Sequence, residues 1–256
     1  MATKIILICI VIASFFCSSC TNTKKIAYFR DVPDTAFRAS LPVVEAPLQK
    51  NDILNIKISS LNAKASADFN QSGGADGAGA GNAQGVGYMI DNSGNIDIPM
   101  LGYIKADGLT KSQLKQRIID VILEKKLLLE PVVDIRYMNF EVTILGEVAK
   151  PTVINVPSEK ISLVKALGLA GDLTIYGKRD NVLLIREEEG ARVTRRLNLN
   201  SSDFLNSPYY YLQPNDVVYV EPNAAKVAVS GRSQQIVPII FTGISVLLLV
   251  LDKVIK

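Results

Sequence analysis

The chain contains no histidine and no tryptophan, and three cysteines among its 256 residues. Without histidine, Ser-His-Asp and Cys-His catalysis are excluded, and so is any His-ligated metal. Cys9 and Cys17 lie in an N-terminal stretch that reads as a removable leader, and Cys20 stands at its end. A chain processed there keeps no free thiol for a disulfide or a thiolate metal site, so ordinary hydrophobic cores must hold the fold. Excess charge is also scarce. The formal net charge is +3, lower by one once Lys4 is removed, which argues against a nucleic-acid partner held on a broad basic surface. Cofactor motifs are missing as well. Asn70 to Gly87 is rich in glycine and alanine but has neither Gly-Lys-Ser/Thr nor G-x-G-x-x-G, and it reads as a flexible surface loop.

What is present begins at the N-terminus. Residues 1 to 19 carry Lys4, the apolar run Ile5 to Phe16, and the small residues Ser18 and Ser19 directly before Cys20. This is the three-part layout of a secretory signal peptide, with an apolar run too short to span a bilayer. It predicts cleavage before Cys20 and lipidation of that residue, although Cys17 stands where Leu, Val or Ile is commoner. The alternatives are an uncleaved membrane helix and cleavage without lipidation; the polar TNTKK that follows fits a mature terminus better. Thr21 in place of aspartate points to the outer membrane.

Residues 20 to 46 read as a proline-spotted tether with one short element around Lys25 to Arg30. A first unit, 47 to 138, opens with the half-buried strand DILNIKIS at Asp52 to Ser59. GYMID and NIDIPM predict two short strands joined at Asn92-Ser93-Gly94-Asn95. Thr110 and Gln113 form a capping box for a helix whose apolar face is Leu114, Ile118, Val121, Ile122 and Leu129, stopped by Pro131. The strand VVDIRY follows. A second unit, 139 to 222, has FEVTILGEV with a bulge or tight approach at Gly146, an edge strand or turn at TVINVP, and a short helix LVKALGLA between a Ser162 cap and Gly171. NVLLIR, RVTRRLNL and DVVYVEP complete it as strands. The fold class is α+β: two small mixed α/β domains, followed by a linker and C-terminal helix over 223 to 256.

In that tail, Ile236 to Leu251 is sixteen residues without a charge, about 24 Å as a helix. It reads as a C-terminal transmembrane helix suited to the roughly 25 Å apolar band of outer-membrane proteins, with a buried core helix as the alternative. A polar seam of Gln235, Thr242, Ser245 and Asp252, joined by Lys256, favours the membrane reading, because it suits a ring of helices with lipid outside and water inside. Carboxylate chemistry has weak candidates. Glu187 to Glu189 beside Gly190 reads as a solvated hairpin turn, and Arg192, Arg195 and Arg196 as an exposed, locally paired strand.

The ordered blocks LQKNDILNIKIS, GNIDIPMLGYIKADGLTKSQL, PVVDIRY, VTILGEVAKPTVINV, ALGLAGDLTIYGKRDNVLLIRE and LQPNDVVYVEP resemble the Wza-type outer-membrane polysaccharide export lipoproteins across nearly all of residues 47 to 222. The resemblance implies a polysaccharide export domain followed by one soluble-ligand-binding (SLBB) β-grasp domain. It also implies a homo-oligomeric ring, commonly octameric, that conducts capsular or extracellular polysaccharide. Its partners would be outer-membrane lipid and an inner-membrane chain-length regulator, often a tyrosine kinase. Gly146-Glu147-Val148 and Asn215-Asp216 sit at the family's tight turns, and the family supplies no catalytic residues, metal or cofactor. The expected function is thus a non-enzymatic conduit, lipid-anchored at Cys20 with most of the chain in the periplasm; the alternative is a periplasm-facing glycan-binding lipoprotein that forms no pore.

Overall fold

A computed structural model describes residues 27–29, 31–32, 45–70, 87–188, 190–230 and 233–254. The leader, Cys20 and most of the glycine-rich loop lie outside the described residues.

Strand β1 (Ile53–Ser59) alternates as its sequence requires, burying Leu54, Ile56 and Ile58. It is the centre of an antiparallel sheet ordered β2 (Gly87–Met89), β1, β5 (Val132–Tyr137). Helix α1 (Ala63–Asn70) follows β1, a segment whose polar, small residues give little periodic signal. Asn70 ties the helix back to the strand, accepting from the Ile58 N–H at 3.0 Å and donating to the Ile58 carbonyl at 2.6 Å.

The expected hairpin across Asn92-Ser93-Gly94-Asn95 does not form as a paired ladder. β2 pairs with β1, whereas β3 (Asn95–Ile98) pairs with β4 (Gly102–Lys105). The turn itself is present: Gly94 N–H donates to the Asp91 carbonyl and Asp91 N–H to the Asn95 carbonyl, both at 2.9 Å. It redirects the chain into a second hairpin, closed where Met100 and Gly102 adopt φ of 66° and 81°.

Helix α2 (Lys111–Glu124) starts on the expected capping box. Gln113 N–H donates to Thr110 Oγ1 at 3.2 Å, and Thr110 N–H donates to Gln113 Oε1 at 2.9 Å. Leu114, Ile118 and Ile122 are buried, each contributing roughly 1.5–3 kcal/mol. Leu129 is not on that face. The helix ends at Glu124, Lys126 turns left-handed at φ 56°, and Leu128 enters the core while Leu129 stays 82% exposed.

The second unit is a mixed five-stranded sheet ordered β7 (Thr152–Asn155), β6 (Glu141–Gly146), β10 (Val217–Pro222), β8 (Gly177–Glu188), β9 (Ala191–Leu197). β6 and β10 run parallel and the other neighbours antiparallel. Helix α3 (Leu163–Leu169) packs on it, with Ser162 Oγ accepting from Lys165 N–H at 3.2 Å. Gly171, at φ 79°, turns the chain away just beyond its C-cap. Val142, Ile144, Leu163, Leu167, Leu184 and Val218 form the middle of this core.

Two helices follow, α4 (Ala224–Ser230) and α5 (Ser233–Val254). Among the described residues no helix is long and apolar enough to cross a membrane. The expected C-terminal transmembrane helix is therefore not supported. The helix is there, but its mainly apolar run, Ile236 to Leu251, is sixteen residues, interrupted by Pro238, Thr242, Gly243 and Ser245, against the roughly 20 apolar residues that a typical bilayer asks for.

Gly146 is the tightest point of the sheet. Its φ is 91°, and a β-carbon there would sit 2.1 Å from the Val220 carbonyl oxygen. Gly146→Ala is expected to cost at least about 2 kcal/mol. Gly102→Ala, at φ 81° with open space around it, should cost only about 1 kcal/mol. Urea unfolding of both variants checks this, and equal losses would show that the approach to Val220 is not the limiting contact.

Candidate functional site at the junction of the two units

β5 ends at Tyr137 and β6 begins at Glu141, so the two sheets are joined by a very short connection. Tyr137 packs against both hydrophobic clusters and meets Phe140 edge-on, with ring centroids 6.0 Å apart. Glu159, in the loop before α3 and left-handed at φ 55°, reaches back across the junction. One carboxylate oxygen accepts from the Tyr137 N–H, and the other pairs with Lys111 Nζ at the start of α2. Lys111 also lies over the Tyr137 ring, 5.5 Å from its centroid. A second tie runs from Gln49 Nε2 to the Glu187 carbonyl at 2.8 Å. Glu45 accepts from Ser112 Oγ and N–H at 2.8 and 3.1 Å, and these bonds hold its carboxyl below the usual range.

The Tyr137 hydroxyl is sealed from solvent and makes no hydrogen bond. Burial raises its pKa, as do the carboxylates of Asp52, Glu159 and Glu45. A buried hydroxyl left without a partner costs about 1–3 kcal/mol.

The central strand of each unit's sheet opens with the same turn. Leu48-Gln49-Lys50-Asn51-Asp52 precedes β1, and Leu212-Gln213-Pro214-Asn215-Asp216 precedes β10. Both asparagines are left-handed, at φ 70° and 66°. Both aspartates accept from the glutamine N–H at 2.8 Å, and both leucines are buried. The two differ in electrostatics. Asp216 is gripped by the buried Arg186 fork at 2.7 and 2.9 Å, yet desolvation still raises its carboxyl. Asp52, 2% exposed, has no cation partner among the described residues, and burial pushes its carboxyl up to about 6, with Asp107 adding to the effect.

The opposite pole of the second unit gathers the first described residues of the chain and the start of α4. The described residues 27–29 and 31–32 form a strap against it. Tyr28 hydroxyl donates to Asp172, Phe29 N–H to the Leu199 carbonyl at 3.1 Å, and Asp31 accepts from Ser202 N–H at 2.8 Å. The start of α4 docks a few residues away, with Asn223 N–H donating to the Tyr176 carbonyl at 2.7 Å and Lys226 paired with Glu147 at 3.4 Å. The loop between is held from inside by Arg179, 5% exposed, which donates to the carbonyls of Leu173, Thr174 and Gly177 and stacks on Tyr28.

Of the residues singled out from sequence, Cys20 lies outside the described residues. Thr242 and Ser245 are exposed on α5, and Ser245 Oγ donates back to the Phe241 carbonyl at 2.9 Å. Gln235 and Asp252 are on the same helix, with their side chains outside the described part. Apolar side chains on that helix are exposed too, among them Ile239, Phe241, Ile244 and Val250. Glu187 and Glu188 end β8 at a hairpin with Gly190 at φ 75°, and Arg196 pairs with Glu221 at 2.8 Å. Tyr137, Glu159 and Lys111 were not legible as a set, because they come from three elements that meet only in the folded chain. The repeated Leu-Gln-x-Asn-Asp was the available signal for the paired turns.

Among the described residues no group of three or more acidic or cysteine side chains is placed to hold a metal. Residues 43–138 match the family model described as polysaccharide biosynthesis/export protein. Among curated proteins, the chain is 26% identical over 157 residues to the EPS I polysaccharide export outer membrane protein EpsA of Ralstonia solanacearum, covering 60% of this chain and 41% of that one. It is 29% identical over 151 residues to the protein of the same name from Ralstonia nicotianae, covering 57% and 39%. The matched stretch thus spans about two fifths of either relative.

Asp52 sets a pH dependence of stability. Its folded carboxyl, at about 6, holds its proton more tightly than the unfolded one, near 3.8. The group costs nothing below the lower value and destabilises the fold increasingly as pH rises toward the upper one, by about 2–3 kcal/mol in full. Asp52→Asn keeps an oxygen for the Gln49 N–H and removes the charge. It should gain about 1–2 kcal/mol near neutral pH and nothing near pH 4 in urea titrations; a gain independent of pH would refute this assignment.

Proposed function

We propose that this protein is the outer-membrane component of a machine that exports capsular or extracellular polysaccharide. Its mechanism is geometric. Copies of the chain enclose a wet path, and weak contacts to sugar hydroxyls let a hydrophilic polymer slide along it. The family match of the first unit carries this reading, and the names of the two relatives support both the cargo class and the membrane. The second unit acts as the soluble-ligand-binding β-grasp domain of this family. An inner-membrane chain-length regulator, with or without a tyrosine kinase domain, is the partner at the periplasmic side.

Cys20 carries the lipid anchor. Tyr28 reaches Asp172, on the loop to which Asn223, at the start of α4, is also bonded. Exposed Ile239, Phe241, Ile244 and Val250 are uncovered within one chain, and neighbouring copies cover them in a ring whose rim the lipids hold at the membrane.

Two experiments test this. Cys20→Ala should abolish palmitate labelling and release the protein from the membrane fraction; retained labelling excludes Cys20 as the anchor. Deleting residues 233–254 should convert a detergent-extracted complex of several subunits to a smaller species and remove polysaccharide from the cell surface. A wild-type monomer by mass, with surface polysaccharide unaffected by the deletion, would favour a glycan-binding lipoprotein that forms no conduit.

A further inference from the structure

Three residues fasten the strap to the second unit: Tyr28 to Asp172, Phe29 to Leu199 and Asp31 to Ser202. Tyr28 and Phe29 also pack against the core of that unit. Two features oppose this seat. Phe29 is held left-handed at φ 47°, a strained backbone for a bulky aromatic residue. The second is Arg179, whose guanidinium lies 5.2 Å from the centre of the Tyr28 ring. It is buried, has no ion pair among the described residues, and its Nε is sealed without a hydrogen-bond partner. Lifting the strap relaxes the backbone and admits water to the guanidinium. The seat is therefore a balance of contacts against strain and desolvation, the condition under which a released state is populated beside a docked one.

The loop under the strap also holds the start of α4. The Asp172 oxygen that receives the Tyr28 hydroxyl accepts the Leu173 N–H as well, at 2.7 Å. Arg179 then takes the carbonyls of Leu173, Thr174 and Gly177. Between them stand Ile175 and Tyr176. Their carbonyls accept from the Asn223 side-chain amide at 3.3 Å and from the Asn223 N–H at 2.7 Å. Asn223 in turn caps α4, its Oδ1 accepting from the Lys226 N–H at 3.0 Å. Water that reaches the guanidinium competes for the donors that fix these carbonyls, so loss of the strap loosens the acceptors of Asn223.

We propose that the strap is a reversible latch whose seating is coupled, through Arg179 and loop 172–177, to the docking of α4. With the strap seated, α4 starts from a firm root; with the strap lifted, that root is loose. The coupling is reciprocal, as any linkage between two equilibria must be. It rests on neither the lipid anchor nor the export reading.

The test is hydrogen exchange of the full-length protein in detergent, read by mass spectrometry under conditions where exchange reports opening equilibria. Tyr28→Ala removes both the hydroxyl and the ring over Arg179 and leaves every α4 contact in place. It should speed exchange in residues 223–230 about fivefold, the low end of the usual range for coupled sites, as well as in the strap. Asn223→Ala removes the bond to the Ile175 carbonyl and the α4 cap, and should speed exchange in the strap by the same factor. Tyr28→Phe keeps the ring over the guanidinium and should disturb 223–230 less than Tyr28→Ala does. Exchange in β6 should be unchanged in all three, which separates the coupling from a general loss of stability. The proposal is overturned if Tyr28→Ala leaves 223–230 as in wild type, if Asn223→Ala leaves the strap as in wild type, or if β6 accelerates to the same extent. Equal effects of Tyr28→Phe and Tyr28→Ala on 223–230 also overturn it, since the cover over Arg179 would then carry nothing.

Discussion

The structure depends on fixing two hydrophobic cores in one orientation across a connection too short to pack by itself. Tyr137 does this by belonging to both clusters, and Glu159 does it by spanning the junction to Tyr137 N–H and Lys111. The bonds are charge-assisted and partly shielded, conditions under which a single carboxylate has a measurable hold. The position of Glu159 is itself constrained. A left-handed backbone at a residue with a β-carbon is tolerated where the surroundings over-determine it, and here the two bonds to the first unit supply that. The orientation of the sheets, the cleft between them and the placing of β6 all follow from this contact.

The paired turns show how one local solution serves two electrostatic settings. In both, an aspartate closes on a glutamine N–H so that a left-handed asparagine can launch a strand. In the second unit the aspartate also anchors Arg186, whose planar fork binds it by two bonds and reaches the Tyr211 carbonyl. In the first unit no such fork faces Asp52, and the carboxyl responds by retaining its proton to higher pH. The same five-residue motif therefore holds an ion-paired aspartate in one place and an aspartate without a cation partner in the other.

Much of the secondary structure was legible because its signals are local. The capping box at Thr110 and Gln113, the Ser162 cap, the alternation of β1 and the glycine at 146 each act within a few residues, and the structure contains all of them. Pairing was harder. β2 and β3 flank a genuine turn but join different sheets, since partner choice depends on β1 and β5, distant in sequence. Leu129 continued the helical period on paper, while chain reversal at Lys126 gave its core place to Leu128. The candidate site was least legible. Lys111, Tyr137 and Glu159 are ordinary residues individually, and only the docking of one unit on the other makes them a group.

The strap and the root of α4 share one loop, and this has a mechanical consequence. Any pull on the N-terminal segment arrives at Asp172 and Leu199, and any pull on the C-terminal helix arrives at Tyr176 and Glu147. Both loads enter the fold through the stretch that Arg179 grips by three carbonyls. That arginine is a mooring post, and tension at either end is borne by the second unit.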